Sequence, residues 1–156
     1  NIFRYNPVKK VLLVLNQSDS LFDACAVLLS TALFQINVSV GFQNKDSFNP
    51  NVLALIKSFI AALNTVSKIS TIEIISQELS DTFIAENINS YARLRACSKG
   101  SLSKEVKTAA NKLGKHIFDS KPKMDGRLEL LNYVNEQSIS YAYHRYGNLG
   151  IRGIKN

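Results

Sequence analysis

Val8-Lys9-Lys10-Val11-Leu12-Leu13-Val14-Leu15 runs into Asn16-Gln17-Ser18-Asp19-Ser20 and then into Leu21-Phe22-Asp23-Ala24-Cys25. The fold turns on how these three pieces are read. The first is a near-continuous branched apolar run, the pattern of a strand covered on both faces. The second breaks it with polar residues, and Ser20 with Asp23 makes a capping box at a helix start. The third opens an apolar set (Leu21, Phe22, Cys25, Leu28, Leu29, Ala32 and Leu33) that keeps to one helical face. Its inward thiol, Cys25, is expected to be buried and inert.

Outward from that unit the alternation continues. Ile36, Val38, Val40 and Phe42 alternate with polar or small residues and read as a strand. Asn49-Pro50 places a cap and a proline at a helix start, and Val52, Leu55, Ile56, Phe59, Ile60 and Leu63 form the clearest helical stripe in the chain. Further on, Thr71–Ile75 is a short strand, Asp81–Asn89 a short helix and Ala92–Cys97 another strand. A helix opened by Gly100-Ser101 carries Leu102, Val106, Ala109, Ala110 and Leu113. Lys115–Phe118 reads as a fifth strand, Arg127–Gln137 as a last helix and Ser138–His144 as a last strand. Strands alternating with helices of this length imply right-handed crossovers and a largely parallel sheet. The expected class is α/β, a Rossmann-like three-layer sandwich of about five to six strands with a C-terminal strand and tail. Residues 1–156 form one domain, with 1–7 as an entry segment and 138–156 as terminal strand and docking tail.

Composition narrows the function classes. The 156 residues are 46% apolar and 20% charged, with few glycines and prolines, which suits one ordinary globular domain. The chain opens at Asn1 and its only methionine is Met124, so a piece of a longer polypeptide is expected. No apolar run approaches a bilayer span. Two cysteines make no framework of bridges, and a reducing, cytoplasmic setting is the default, with peripheral membrane attachment of a parent chain left open. The net charge of +7 is uneven: residues 1–90 carry 6 basic and 7 acidic side chains, residues 91–156 carry 13 and 5. The lysines stand singly, without interleaved aromatics, so a solvated basic face is expected rather than a nucleic-acid platform.

An α/β domain invites a nucleotide. A dinucleotide unit needs glycines in the turn after its first strand, so that backbone amides approach the pyrophosphate at a helix N-terminus. Asn16–Ser20 has none, and it puts Asp19 where phosphate would lie. Gly147, Gly150 and Gly153 leave no room for a following helix. A Walker-type loop is missing too. Cys97, followed by Ser98-Lys99-Gly100, is the better thiol candidate, expected to be partly accessible beside an ammonium. His116 and His144 have no spaced carboxylate or cysteine partners for a metal. Glu129 and Glu136, seven apart on the expected last helix, read as a solvated edge.

The end of the chain carries the resemblance. Gly126-Arg127-Leu128-Glu129-Leu130-Leu131-Asn132-Tyr133-Val134-Asn135-Glu136-Gln137-Ser138-Ile139-Ser140, running on into His144-Arg145-Tyr146-Gly147-Asn148-Leu149, resembles the C-terminal end of long bacterial proline utilization A proteins. Asn1-Ile2-Phe3-Arg4-Tyr5-Asn6-Pro7 resembles the segment that follows their L-glutamate γ-semialdehyde dehydrogenase module. The resemblance implies a parent that oxidises proline with FAD and the resulting semialdehyde with NAD, passing the intermediate through an internal tunnel. It implies that this domain is a non-catalytic relative of the aldehyde dehydrogenase Rossmann domain, holding no cofactor of its own. Its partner is then the aldehyde dehydrogenase module of the same polypeptide, against which it helps seal the tunnel. The docking residues it implies are Gln137, Ser138, His144, Arg145, Tyr146, Gly147 and Asn148. Two other classes stay open: a stand-alone small-molecule or nucleotide-binding module using Cys97 and Lys99, and a basic nucleic-acid-binding domain.

Overall fold

A computed structural model of the chain describes residues 2–67 and 70–140. In chain order the elements are β1 (Ile2–Pro7), β2 (Lys10–Leu15), α1 (Leu21–Leu33), β3 (Asn37–Phe42), α2 (Pro50–Val66), β4 (Ile72–Ile74), α3 (Asp81–Asn87), β5 (Arg93–Ala96), α4 (Lys104–Lys112), β6 (His116–Asp119), α5 (Gly126–Leu130) and β7 (Val134–Ile139). Five strands form one parallel sheet in the order β4-β3-β2-β5-β6. Counted along the chain within that sheet, the order is 3-2-1-4-5. That order is Rossmann-like, and it puts a topological switch between β2 and β5.

Local chemistry sets the helix starts. Ser20 Oγ accepts the Asp23 N–H at 3.0 Å, and Asn49 Oδ1 accepts the Asn51 N–H at 2.9 Å with Pro50 in the first turn. Ser80 and Ser103 cap α3 and α4 in the same way. The last of these moves the helix start: Leu102 is buried just ahead of α4 rather than inside it.

The sheet buries both faces. Val11, Leu13, Leu15, Val38, Val40 and Phe42 face α1 and α2. Leu12, Val14, Leu94 and Ala96 face α3 and α4. This is the three-layer sandwich expected from the continuous apolar run in β2. Gly41 makes room for Leu79, whose Cδ2 lies 2.6 Å from where an added Cβ would stand.

The ends depart from expectation. The last helix stops at Leu130, a 3-10 turn covers Leu131–Tyr133, and Val134–Gln137 is already strand. The reason is packing: Tyr133 is pulled into the core, and the chain leaves extended beyond it. The final strand therefore begins four residues before Ser138 and ends at Ile139, with Ser140 already outside it; residues 141–144 of the expected strand lie outside the described residues. The entry segment is itself a strand, β1, paired antiparallel with β7 from Ile2↔Ile139 to Pro7↔Val134. This two-stranded ribbon is separate from the main sheet.

Candidate functional site

At the corner where β2 runs into α1, Asp19 is engaged by the chain itself. Asp19 Oδ2 accepts the Asn16 N–H at 2.9 Å, and Asp19 Oδ1 accepts the Ser98 hydroxyl across the switch point. One carboxylate thus ties the turn after β2 to the turn after β5, at the head of α1. A polar crevice of about 370 Å³ remains outside it, lined by Gln17, Gln43, Asn44, Lys99 and Ser101 among others.

The two thiols exchange the environments expected for them. Cys97 is fully buried, and burial, with Asp19 close by, pushes its thiol up to about 12. It is not the accessible thiol that Lys99 suggested. Cys25 is half-buried and lines an open groove, its thiol raised by partial burial. The cause is the roll of α1: Ala24, Val27, Leu28 and Thr31 face the sheet, so Phe22, Cys25, Leu29 and Leu33 ride on the flank.

That flank is a long apolar surface. Phe22 is 61% exposed, Leu33 66% and Met124 85%. One groove of about 380 Å³ runs between α1, Phe59 of α2, and Met124 and Leu130 around α5. A second, of about 440 Å³, continues along α1 past Leu63 and Val66, sharing Leu29 and Leu33 with the first. Charge is nearly absent from the layer. In α1 only Asp23 is charged and in α2 only Lys57, whereas α4 carries Lys104, Glu105, Lys107 and Lys112 in nine residues. A paucity of charge across two helices is the sequence signal for this surface, and an apolar stripe alone does not reveal it.

A buried polar cluster fixes α5 and the ribbon to this side of the sheet. Arg95 is 1% exposed and its Nη2 donates to Glu129 Oε1 at 3.0 Å. The Tyr133 hydroxyl donates to the same oxygen at 2.7 Å. Burial works against the Arg95 charge, and the Tyr133 and Glu129 oxygens more than offset it, so the guanidinium stays charged. Burial, foremost, also drives the Tyr133 hydroxyl well above its ordinary range. Glu129 is therefore no solvated edge. Two residues along β5, Arg93 donates to the carbonyls of Asn132 and Val134 and to Asn135 Oδ1, anchoring the root of the ribbon.

Of the seven expected docking residues, Gln137 and Ser138 lie on β7, where Gln137 Oε1 accepts from Arg4 Nε at 2.6 Å and pairs with Arg4 in register. His144, Arg145, Tyr146, Gly147 and Asn148 lie outside the described residues. On the ribbon Phe3 and Tyr5 share one face, 64% and 58% exposed, and Ile2 stands exposed on the other. A two-stranded ribbon bare on both faces is marginal in water.

Among the described residues no three His, Cys, Asp or Glu side chains group as a metal site, and no helix is long and apolar enough to cross a membrane. No protein-family model matches the chain, and no curated protein matches it either. Among solved structures it is similar to shikimate dehydrogenase from Mycobacterium tuberculosis, at 10% identity and a TM-score of 0.44, over 81% of this chain and 47% of that one. The chain thus spans about half the length of that protein. The strand order itself is what makes this domain a Rossmann-like α/β fold.

Proposed function

We propose that this chain is a non-catalytic docking domain, which packs on a neighbouring module through the α1–α2–α5 face and the β1/β7 ribbon. The observation that carries the reading is the exposed, nearly uncharged α1–α2 layer. Contiguous apolar surface of this kind marks an interaction site, and water is a poor neighbour for Phe22, Leu29, Leu33 and Val66 together. The Asp19 bridge supports the non-catalytic half of the reading, because a carboxylate at the head of α1 repels the phosphates that a dinucleotide brings there.

The resemblance of the two ends supplies the identity of the partner. In this reading the neighbour is the NAD-dependent aldehyde dehydrogenase module of a bifunctional proline-oxidising enzyme. The domain acts as a scaffold and lid on the tunnel that carries the semialdehyde. FAD and NAD belong to the parent and none to this domain. The ribbon brings Gln137 and Ser138 to the contact, and the segment after Ser140 continues from its end.

Two charges placed in the apolar face test this. In the full-length enzyme, Leu29→Asp combined with Leu33→Asp lowers semialdehyde oxidation and coupled proline-to-glutamate turnover, because a docked carboxylate has no partner. Flavin-dependent proline oxidation is largely spared. Wild-type coupled turnover with no lag in glutamate formation contradicts the reading.

A further inference from the structure

The two edges of the parallel sheet are finished differently. On the β4 edge the Ile72 backbone points away from β3, and both of its polar groups are met by one side chain. Asn64 Oδ1 accepts the Ile72 N–H at 2.9 Å, and Asn64 Nδ2 donates to the Ile72 carbonyl at 2.8 Å. The amide imitates a strand and covers that edge at Ile72.

The β6 edge has no such plug. The Ala92 N–H donates to Lys10 O on β2, so by the alternation of a strand Arg93 and Arg95 turn their backbone groups toward β6. With Arg93 level with His116 and Arg95 with Phe118, Ile117 and Asp119 answer them, and His116 and Phe118 turn outward. The Phe118 carbonyl accepts from Arg95 Nη1. The His116 N–H and carbonyl and the Phe118 N–H meet no other described residue. After Asp119 the chain crosses to α5 instead of adding a sixth strand, and an open groove of about 550 Å³ lies along this edge beneath α4.

We infer that this edge takes up an extended acidic segment of a partner protein as a sixth strand. The backbone supplies the hydrogen bonds, as in other cases of strand addition, and the surrounding charge selects the partner. Lys107, Lys115, His116 and Asp119 line the groove; Lys107 pairs with Asp119 at 2.8 Å, which leaves Lys115 as the groove's excess cation, and residues 99–123 as a whole hold seven lysines against Glu105 and Asp119. The same lysines repel a second copy of this edge, which is how a free edge is kept from pairing with itself. The segment from 141 to 156, with three Lys or Arg and no acidic residue, has the wrong charge for the slot.

Amide hydrogen exchange tests this, read residue by residue on the whole chain. The probes are a blocked peptide of alternating glutamate and valine and its lysine–valine counterpart. Without peptide the His116 and Phe118 amides exchange quickly. The glutamate peptide slows both, added salt weakens the effect, and the lysine peptide leaves them unchanged. Lys115→Glu raises the glutamate peptide's dissociation constant by about fivefold, the scale of one or two exposed charge pairs, while Lys115→Gln gives a smaller rise. The inference is overturned if both amides are already slow in the free chain, if the glutamate peptide slows neither, or if the lysine peptide protects them equally.

Discussion

The two helix layers of this domain cover the same sheet, yet only one is made for water. On the α3–α4 side, Val106 and Ala110 turn inward while Lys104, Glu105, Lys107 and Lys112 hold the outer face. On the α1–α2 side the inner face is equally well packed, but the outer face carries Phe22, Leu29, Leu33 and Val66, with one charge per helix. An amphipathic helix needs one apolar stripe to fold onto a sheet. A second stripe on its flank is left exposed among the described residues, and the docking proposal rests on it. The difference teaches that burial against the sheet and readiness for a partner are separable properties of one helix.

Substitutions can break that comparison from either side. The largest effect belongs to a charge on the inner face of α1. Val27→Asp places a carboxylate where exposure is zero and costs more than about 4 kcal/mol, enough to prevent folding of a marginal domain. Leu29→Asp, two residues on but on the flank, changes stability by about 0.5 kcal/mol or less. Chemical denaturation of the pair measures both, and equal losses would place Leu29 in the core.

Next in size is the cluster that holds α5 to the α1–α2 side of the sheet. Arg95→Met leaves Glu129 buried without its ion pair and costs about 3–5 kcal/mol, read as a fall in denaturation midpoint. A near-neutral result would mean that the apolar side chain fills the space and the ion pair contributes no net stability.

The smallest effect lies at the sheet margin, away from both layers. Ser39 Oγ donates to Glu73 Oε1 at 2.6 Å, and Lys10 Nζ lies 3.0 Å from the same oxygen. The hydroxyl first and the ammonium second hold the Glu73 carboxyl below its ordinary range. The folded state therefore favours the carboxylate. Its contribution is present above the ordinary glutamate range and is lost as pH falls through the lowered value. Between about pH 5 and about pH 3 the wild-type melting temperature should fall slightly more than that of Glu73→Gln. Parallel curves would remove Glu73 from the account.

The sequence makes the first half of this fold plain. The β2 run, the Ser20 and Asn49 caps and the β3 alternation are local signals that tertiary packing does not contradict. What it hides is direction. The apolar positions of α1 spread beyond one face, so periodicity alone does not say whether Cys25 or Ala24 meets the sheet, and the two thiols stand in each other's expected environments. The end of the chain misleads for a different reason. Leu128 to Val134 has helical spacing, but Tyr133 is drawn inward by Arg95 and Glu129, partners 38 and 4 residues away. Arg93 and Arg95 look like the wet face of a strand and are instead its anchors, because their acceptors lie in a segment that no local pattern links to β5. The expected docking residues Gln137 and Ser138 fall on the ribbon, while the apolar α1 flank was written in the sequence only as missing charge.

The central claim, that the α1 flank is covered by a neighbouring module, is tested most directly by the two cysteines. Cys97 is buried with its thiol pushed up to about 12 and serves as an internal standard, while Cys25 lines the apolar groove. Native-state alkylation, read peptide by peptide by mass spectrometry, gives both rates in the isolated chain and in the full-length enzyme proposed as its parent. The account predicts that Cys25 reacts well ahead of Cys97 in the isolated chain and slows at least about tenfold in the full-length enzyme, with Cys97 slow in both. An unchanged Cys25 rate in the full-length enzyme would contradict it.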